Sequence, residues 1–319
     1  MIKKKNFTAI LAAGFILFSL TACSTGTDST ASSTETSTDA STKEVTDYLD
    51  HTLTVPTNPK RVIGTYLEDY LVSLDVTPVA QWTVGSGSVL SYLQDYLTDI
   101  PTLNYDMPYE DVLSFEPDLL FVSSSDLVEG DKYTQYSQIA PTYVVENGDG
   151  VTWEDTYLDI ASVLGKEEQA ETTIAQYQTD AEELKNELTD AIGEKSIAVL
   201  WVTNNSAFVV AENRASGTLL YEDLGFQVPN VVAEISESAT ADWSAISTEA
   251  LAELDADYLI LVDSDEEAAL YNESAWQNIP AVANNQVFSF DSNHSWQYTG
   301  PIATQMMLND VREAILGAE

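Results

Sequence analysis

Cysteine occurs once in 319 residues and histidine twice, and lysine and arginine together number 12 against 52 acidic residues. A single cysteine forms no internal disulfide and supplies no paired-thiol chemistry. Two histidines, His51 and His294, are too few for bare Zn²⁺ or Mn²⁺ capture, which draws on several imidazoles with carboxylates. A formal charge of −40 leaves no clustered basic surface, so nucleic acid is excluded as a partner. Phosphate loops are missing too. Gly85-Ser86-Gly87-Ser88 is neither a GxGxxG nor a Walker loop, and no lysine follows it. The GxSxG elbow of a surface hydrolase is absent, and His294 would be its sole histidine base.

Long apolar runs are also scarce. Phe7 to Ala22 is one, too short and wrongly flanked for a comfortable membrane span, and Lys3, Lys4 and Lys5 precede it. It ends in Leu20-Thr21-Ala22-Cys23, which resembles the bacterial lipobox. That resemblance implies a signal peptide over 1–22 and diacylation of Cys23, the lipidation site. Two acyl chains anchor a protein where one holds only marginally. The expected location is the extracellular face of the cell membrane, as in Gram-positive bacteria. Removing 1–22 takes three lysines and no acid, leaving a charge of −43. Residues 23–47 form the acylated cysteine and a tether of Ser, Thr, Asp, Ala and Gly, which cannot bury enough apolar surface to fold.

What is present is a duplication. Glu110 to Val122 recurs 139 residues later as Glu249 to Leu261. Glu110 matches Glu249, Val112 Leu251, Phe115 Leu254, Asp118 Asp257 and Val122 Leu261. Each copy opens with apolar residues at i and i+3, one face of a short helix. A breaker and an unbroken apolar run follow, the pattern of a strand covered on both faces in a parallel sheet. Two like α/β lobes leave a cleft between them, a preferred place for a ligand.

The first lobe is expected over 48–165. His51–Pro56 reads as an edge strand stopped by proline, Pro59–Gly64 leads into a strand and Glu68–Leu74 reads as a helix; Val79–Trp82 follows as a short strand. Asp106 is the expected N-cap of the first repeat helix. Thr152–Leu164 is a helix capped by Gly165. Residues 166–193 lack internal proline and glycine, and Ile174, Tyr177, Ala181, Leu184 and Leu188 fall at helical steps. This predicts a connecting helix of about 40 Å. The second lobe, 194–319, has a strand at Ile197–Val202, a helix at Gly217–Leu224, the second repeat, a strand at Val287–Phe290, a loop at Asp291–Gly300 and a terminal helix from Pro301.

In this order, PKRVIG, YEDVLSFEPDLLFV, YSQIAPTYVV, WEDTYLDIASVLGKEEQAE, RASGTLLYEDLGF, ISTEALAELDADYLILV and WQNIPAVANNQVFSFD resemble the substrate-binding lipoproteins of bacterial ABC importers for iron–siderophores, haem and cobalamin. The ferric-hydroxamate and ferrichrome binders are nearest. The resemblance implies two Rossmann-like lobes on one long helix, with a ligand cleft between them and slight opening and closing. It implies a monomeric, non-enzymatic receptor that hands a ferric siderophore to a permease driven by an ATPase. Iron stays ligated by the siderophore, so the protein needs no cofactor or direct metal ligand.

The same resemblance implies site residues. Glu110 and Glu249 would dock on permease arginines; equally, each is a first-turn acid that the helix dipole favours. Arg214 would donate to the iron-bound hydroxamate oxygens, or pair with one of many acids. Trp296 and Tyr298 would line the cleft from the second lobe. Tyr66 and Trp82 each follow a first-lobe strand, where open α/β sheets bind ligands. His294 is the sole candidate ligand for haem, the alternative cargo beside cobalamin or a ferric catecholate. A tris-catecholate complex is a trianion, and one cleft arginine suits a neutral hydroxamate complex better. An adhesin that kept the fold and lost transport is a further alternative.

Overall fold

The computed structural model describes residues 41–317 apart from 86, 147 and 149. Cys23 and the signal segment lie outside the described residues. The chain begins with a hairpin, β1 (Thr42–Thr46) against β2 (Thr52–Pro56), antiparallel from Thr42 opposite Pro56 to Thr46 opposite Thr52. Residues 42–46, expected to belong to the tether, form β1 instead. Thr and Val suit a pleated strand, and β2 supplies the ladder that the composition of the segment does not reveal.

The first lobe is a sheet of five parallel strands: β3 (Val62–Gly64), β4 (Gln81–Trp82), β5 (Thr102–Leu103), β6 (Leu119–Val122) and β7 (Thr142–Val144), in the order β5-β4-β3-β6-β7. The second lobe has the order β10-β9-β8-β11-β12, from β8 (Ile197–Thr203), β9 (Ser206–Val210), β10 (Trp243–Ala245), β11 (Tyr258–Asp263) and β12 (Val287–Phe290). The two repeat strands, β6 and β11, occupy the same place in their sheets. Each follows a short helix, Tyr109–Ser114 or Thr248–Ala252. Pro108, not Asp106, holds the N-cap position of the first; its fixed φ suits a helix start. Ser247 caps the second, accepting from the Ala250 N–H at 3.2 Å.

The lobes differ at one edge. β8, β11 and β12 run parallel, whereas β9 and β10 are antiparallel additions. Asn204 and Asn205 turn β8 into β9 with φ of 48° and 55°. A two-residue hairpin turn needs positive φ at both places, and asparagine tolerates it.

The connecting helix runs Glu167–Ile192, and Ala170, Ile174, Tyr177, Ala181, Leu184 and Leu188 are its buried face. Ala170 and Ile174 join the first lobe's core, and the other four join the second lobe's. That second core also takes in Leu90, Tyr92, Leu93 and Leu97 of the first lobe. The lobes thus share an interior as well as a rod. The terminal helix, Pro301–Val311, packs against the connecting helix and against the first-lobe helix Glu68–Ser73.

Candidate functional site

The carboxyl ends of parallel strands build the first-lobe wall. Thr65 leaves β3 with its N–H donating to the Phe121 carbonyl at 3.1 Å, and its hydroxyl accepts from the Ser123 N–H at 2.9 Å. Tyr66 follows with a φ of 58°, a left-handed conformation that costs an aromatic residue about 1 kcal/mol or more. Buried anchors hold it there. Thr65 lies on one side, and on the other Glu68 accepts from the Trp82 N–H at 2.7 Å. Tyr66 is therefore presented into a cavity of about 160 Å³, whose lining includes Asp69, Tyr70, Tyr92, Glu146, Tyr298 and Thr299. The Tyr66 and Tyr298 rings meet edge to face at 6.0 Å, and Tyr92 lies 5.3 Å from Tyr298. Burial raises the phenol pKa of both Tyr66 and Tyr298, so both hydroxyls stay protonated as donors.

A larger cleft of about 700 Å³ adjoins it, sharing Tyr70, Thr156 and Thr299. One side is first lobe, Val151 to Thr156; the other is second lobe, Asn213 to Ala215 and Ser236 to Asp242. Arg214 sits in a tight turn. Its N–H donates to the Ala211 carbonyl at 3.3 Å, and its carbonyl accepts from Gly217 at 2.8 Å. Only glycine fits at 217, because a Cβ there would lie 2.0 Å from the Ala211 oxygen. The guanidinium reaches the Ala239 carbonyl at 3.5 Å. Glu154, Glu222, Glu237 and Asp242 line the same cleft. Burial raises Asp242, with the Arg214 charge pulling it back down, and burial also raises Glu154. Among the described residues, Arg214 is the only basic one lining the two cavities.

The structure thus places Arg214 in the larger cleft and Tyr66 and Tyr298 in the cavity adjoining it. Trp82 stands behind Tyr66 at 5.6 Å, 9 % exposed, with its Nε1 donating to the Tyr105 carbonyl at 3.1 Å. The expectation for Trp296 is corrected. It is 1 % exposed and its Nε1 donates to Asp310 at 2.9 Å. An indole with a buried acceptor packs in the core. His294 lines neither cavity and its Nδ1 lies 3.0 Å from an Asp310 oxygen. His51 is remote from the cleft, stacked on Tyr133 at 3.7 Å and bonded to Asp47 at 3.0 Å. Glu110 and Glu249 are exposed, each the second residue of its repeat helix. Sequence reasoning missed Glu154, Asp242 and Tyr92. The capping pattern Thr152-x-x-Asp155 marks Glu154 as first-turn, but nothing local shows that it faces the other lobe. Among the described residues, no group of three or more His, Cys, Asp or Glu could hold a metal ion.

A protein family described as periplasmic binding protein matches residues 68–294. The iron(3+)-hydroxamate-binding protein YxeB of Bacillus subtilis is 24% identical over 98% of this chain and 97% of its own. Among solved structures, Staphylococcus aureus SirA complexed with staphyloferrin B superposes with a TM-score of 0.70 at 24% identity, over 86% of this chain and 98% of that one. FhuD2 of Staphylococcus aureus with bound ferrioxamine B gives 0.69 at 19%, over 82% and 100%.

Proposed function

The chain belongs to the periplasmic binding protein family, and from that premise we propose that it captures a ferric siderophore of hydroxamate type and delivers it to an ABC permease. It works as a receptor without catalysis, anchored through Cys23 on the outer face of the membrane. The observation that carries this reading is the cleft's chemistry: one guanidinium, Arg214, among Glu154, Glu222, Glu237 and Asp242, beside a corner of tyrosines. The volume suits a compact organic complex. Four carboxylates sharing a cleft with one arginine repel a trianionic tris-catecholate complex and accept a neutral or cationic one. Arg214 then donates to iron-bound hydroxamate oxygens, which suits its planar fork, and the tyrosines pack against the chelator's backbone. Chelator oxygens ligate the iron, so no protein ligand is required. His294, held by Asp310 outside both cavities, speaks against the haem reading.

Tryptophan-fluorescence titration of the purified protein tests this. A ferric trihydroxamate should bind tightly and a ferric tris-catecholate weakly. Arg214→Ala should weaken the trihydroxamate about tenfold or more, the loss expected for a hydrogen bond to a charged donor. Tight catecholate binding with no trihydroxamate binding would overturn the ligand class.

A further inference from the structure

Gly300 and Asp69 are 231 residues apart and nearly in contact. A Cβ on Gly300, whose φ is +146°, would lie 2.6 Å from the Asp69 Oδ1. Asp69 is 1 % exposed. Its Oδ1 accepts from the Ile302 N–H at 2.9 Å, and its Oδ2 accepts from the Ala303 N–H at 2.9 Å and the Tyr92 hydroxyl at 2.8 Å. Ile302 and Ala303 lie in the first turn of the terminal helix, which begins with Pro301. Those N–H groups have no partner within their own helix, and the helix dipole favours an anion there. A carboxylate of the first lobe thus caps a helix of the second.

Its place gives the contact a function. Asp69 lies between Tyr66 and Tyr70 on its own segment, and its partners Ile302 and Ala303 come after Tyr298 and Thr299 with Gly300 and Pro301 between; Tyr66, Tyr70, Tyr298 and Thr299 all line the tyrosine cavity. We propose that Asp69 is a positioning residue for ligand binding: it latches the start of the terminal helix to the first lobe and so sets how the two tyrosine walls meet. The proposal rests on the receptor reading above, since it needs a ligand that spans those walls.

The latch is a strong one only while ionised. Burial pushes the Asp69 carboxyl up to about 6, against the pull of its three donors. The titratable groups facing it are Glu68 and Tyr70 from its own helix, Tyr92 from the 91–93 turn and Tyr157 from the helix Trp153–Leu164; the terminal helix presents backbone N–H groups. Burial raises all four, Glu68 to about 8, so each stays neutral between pH 5 and pH 7. Asp69 is the group in this set that changes charge there.

The test is the pH profile of affinity for ferrioxamine B, a ferric trihydroxamate whose iron stays chelated across that range. The parent protein should bind about tenfold more weakly at pH 5 than at pH 7, as wall preorganisation is lost. Asp69→Asn should bind with the weak, acid-form affinity at both pH values. Tyr92→Phe removes one donor to the charged form and should move the midpoint of the profile to higher pH, a shift that a packing defect alone does not produce. Should Asp69→Asn not fold, Tyr92→Phe decides. A flat parent profile, or variants that keep the parent's profile, overturns the latch while leaving the receptor reading intact. No binding of ferrioxamine B or any other ferric trihydroxamate at either pH overturns the receptor reading itself.

Discussion

Asp118 and Asp257 show what a matched residue can mean. They align in the two repeats, and the structure gives them one task. Asp118 accepts from the Lys60 and Arg61 N–H groups at 2.7 and 2.9 Å, and Asp257 accepts from the Ser196 N–H at 3.0 Å. Each carboxylate thus pins the start of the neighbouring central strand, β3 or β8, and its recurrence is structural. Glu68 is the opposite case, with nothing in the sequence to mark it. Burial pushes its carboxyl up to about 8, and its Oε2 is buried without a hydrogen-bond partner. A folded-state pKa above the unfolded value means that this contribution to stability is fully present at low pH. It is lost as pH rises through about 8. Between pH 6.5 and pH 9 the parent should lose about 2 kcal/mol through this group. Glu68→Gln should remove that loss, as read by urea unfolding at both pH values. An unchanged slope would show that Glu68 is solvated in the native state.

At the scale of elements, local pattern and tertiary context divide the work. The connecting helix was fully legible: every residue placed on its apolar face by spacing is buried. A 26-residue helix repeats its burial signal many times, which averages out exceptions. β9 and β10 were not read, although Asn204-Asn205 between apolar runs is a hairpin signal. The repeat helices carry a prediction of their own. Glu110 and Glu249 stand exposed at equivalent positions, and replacing both with alanine should abolish siderophore uptake by cells while leaving affinity of the purified protein unchanged. Rim charges set docking and register. Uptake at the parental rate would remove the docking role.

At the scale of the molecule, the two five-stranded sheets are joined by a shared interior. Leu90, Tyr92, Leu93 and Leu97 of the first lobe lie in the same core as Trp296, Ala303 and Met307 of the second. The connecting helix enters both cores, and the two lobes fall in one compact unit. Thermal or urea unfolding should therefore give a single transition, coincident by tryptophan fluorescence and far-UV circular dichroism. Two resolved transitions would mean that the lobes fold independently.

The amino-acid sequence by itself determined the two-lobe architecture, the rod between the lobes, the repeat and the poverty of positive charge. These are properties of period and composition, and both are written along the chain. The tertiary structure alone decided that Trp296 faces inward, that Glu154 and Asp242 share a cleft with Arg214, and that Asp69 meets the helix at Ile302. Those facts are pairings between distant residues. Complementarity of that kind leaves no period in either segment, so it exists only once the packed lobes bring the segments together.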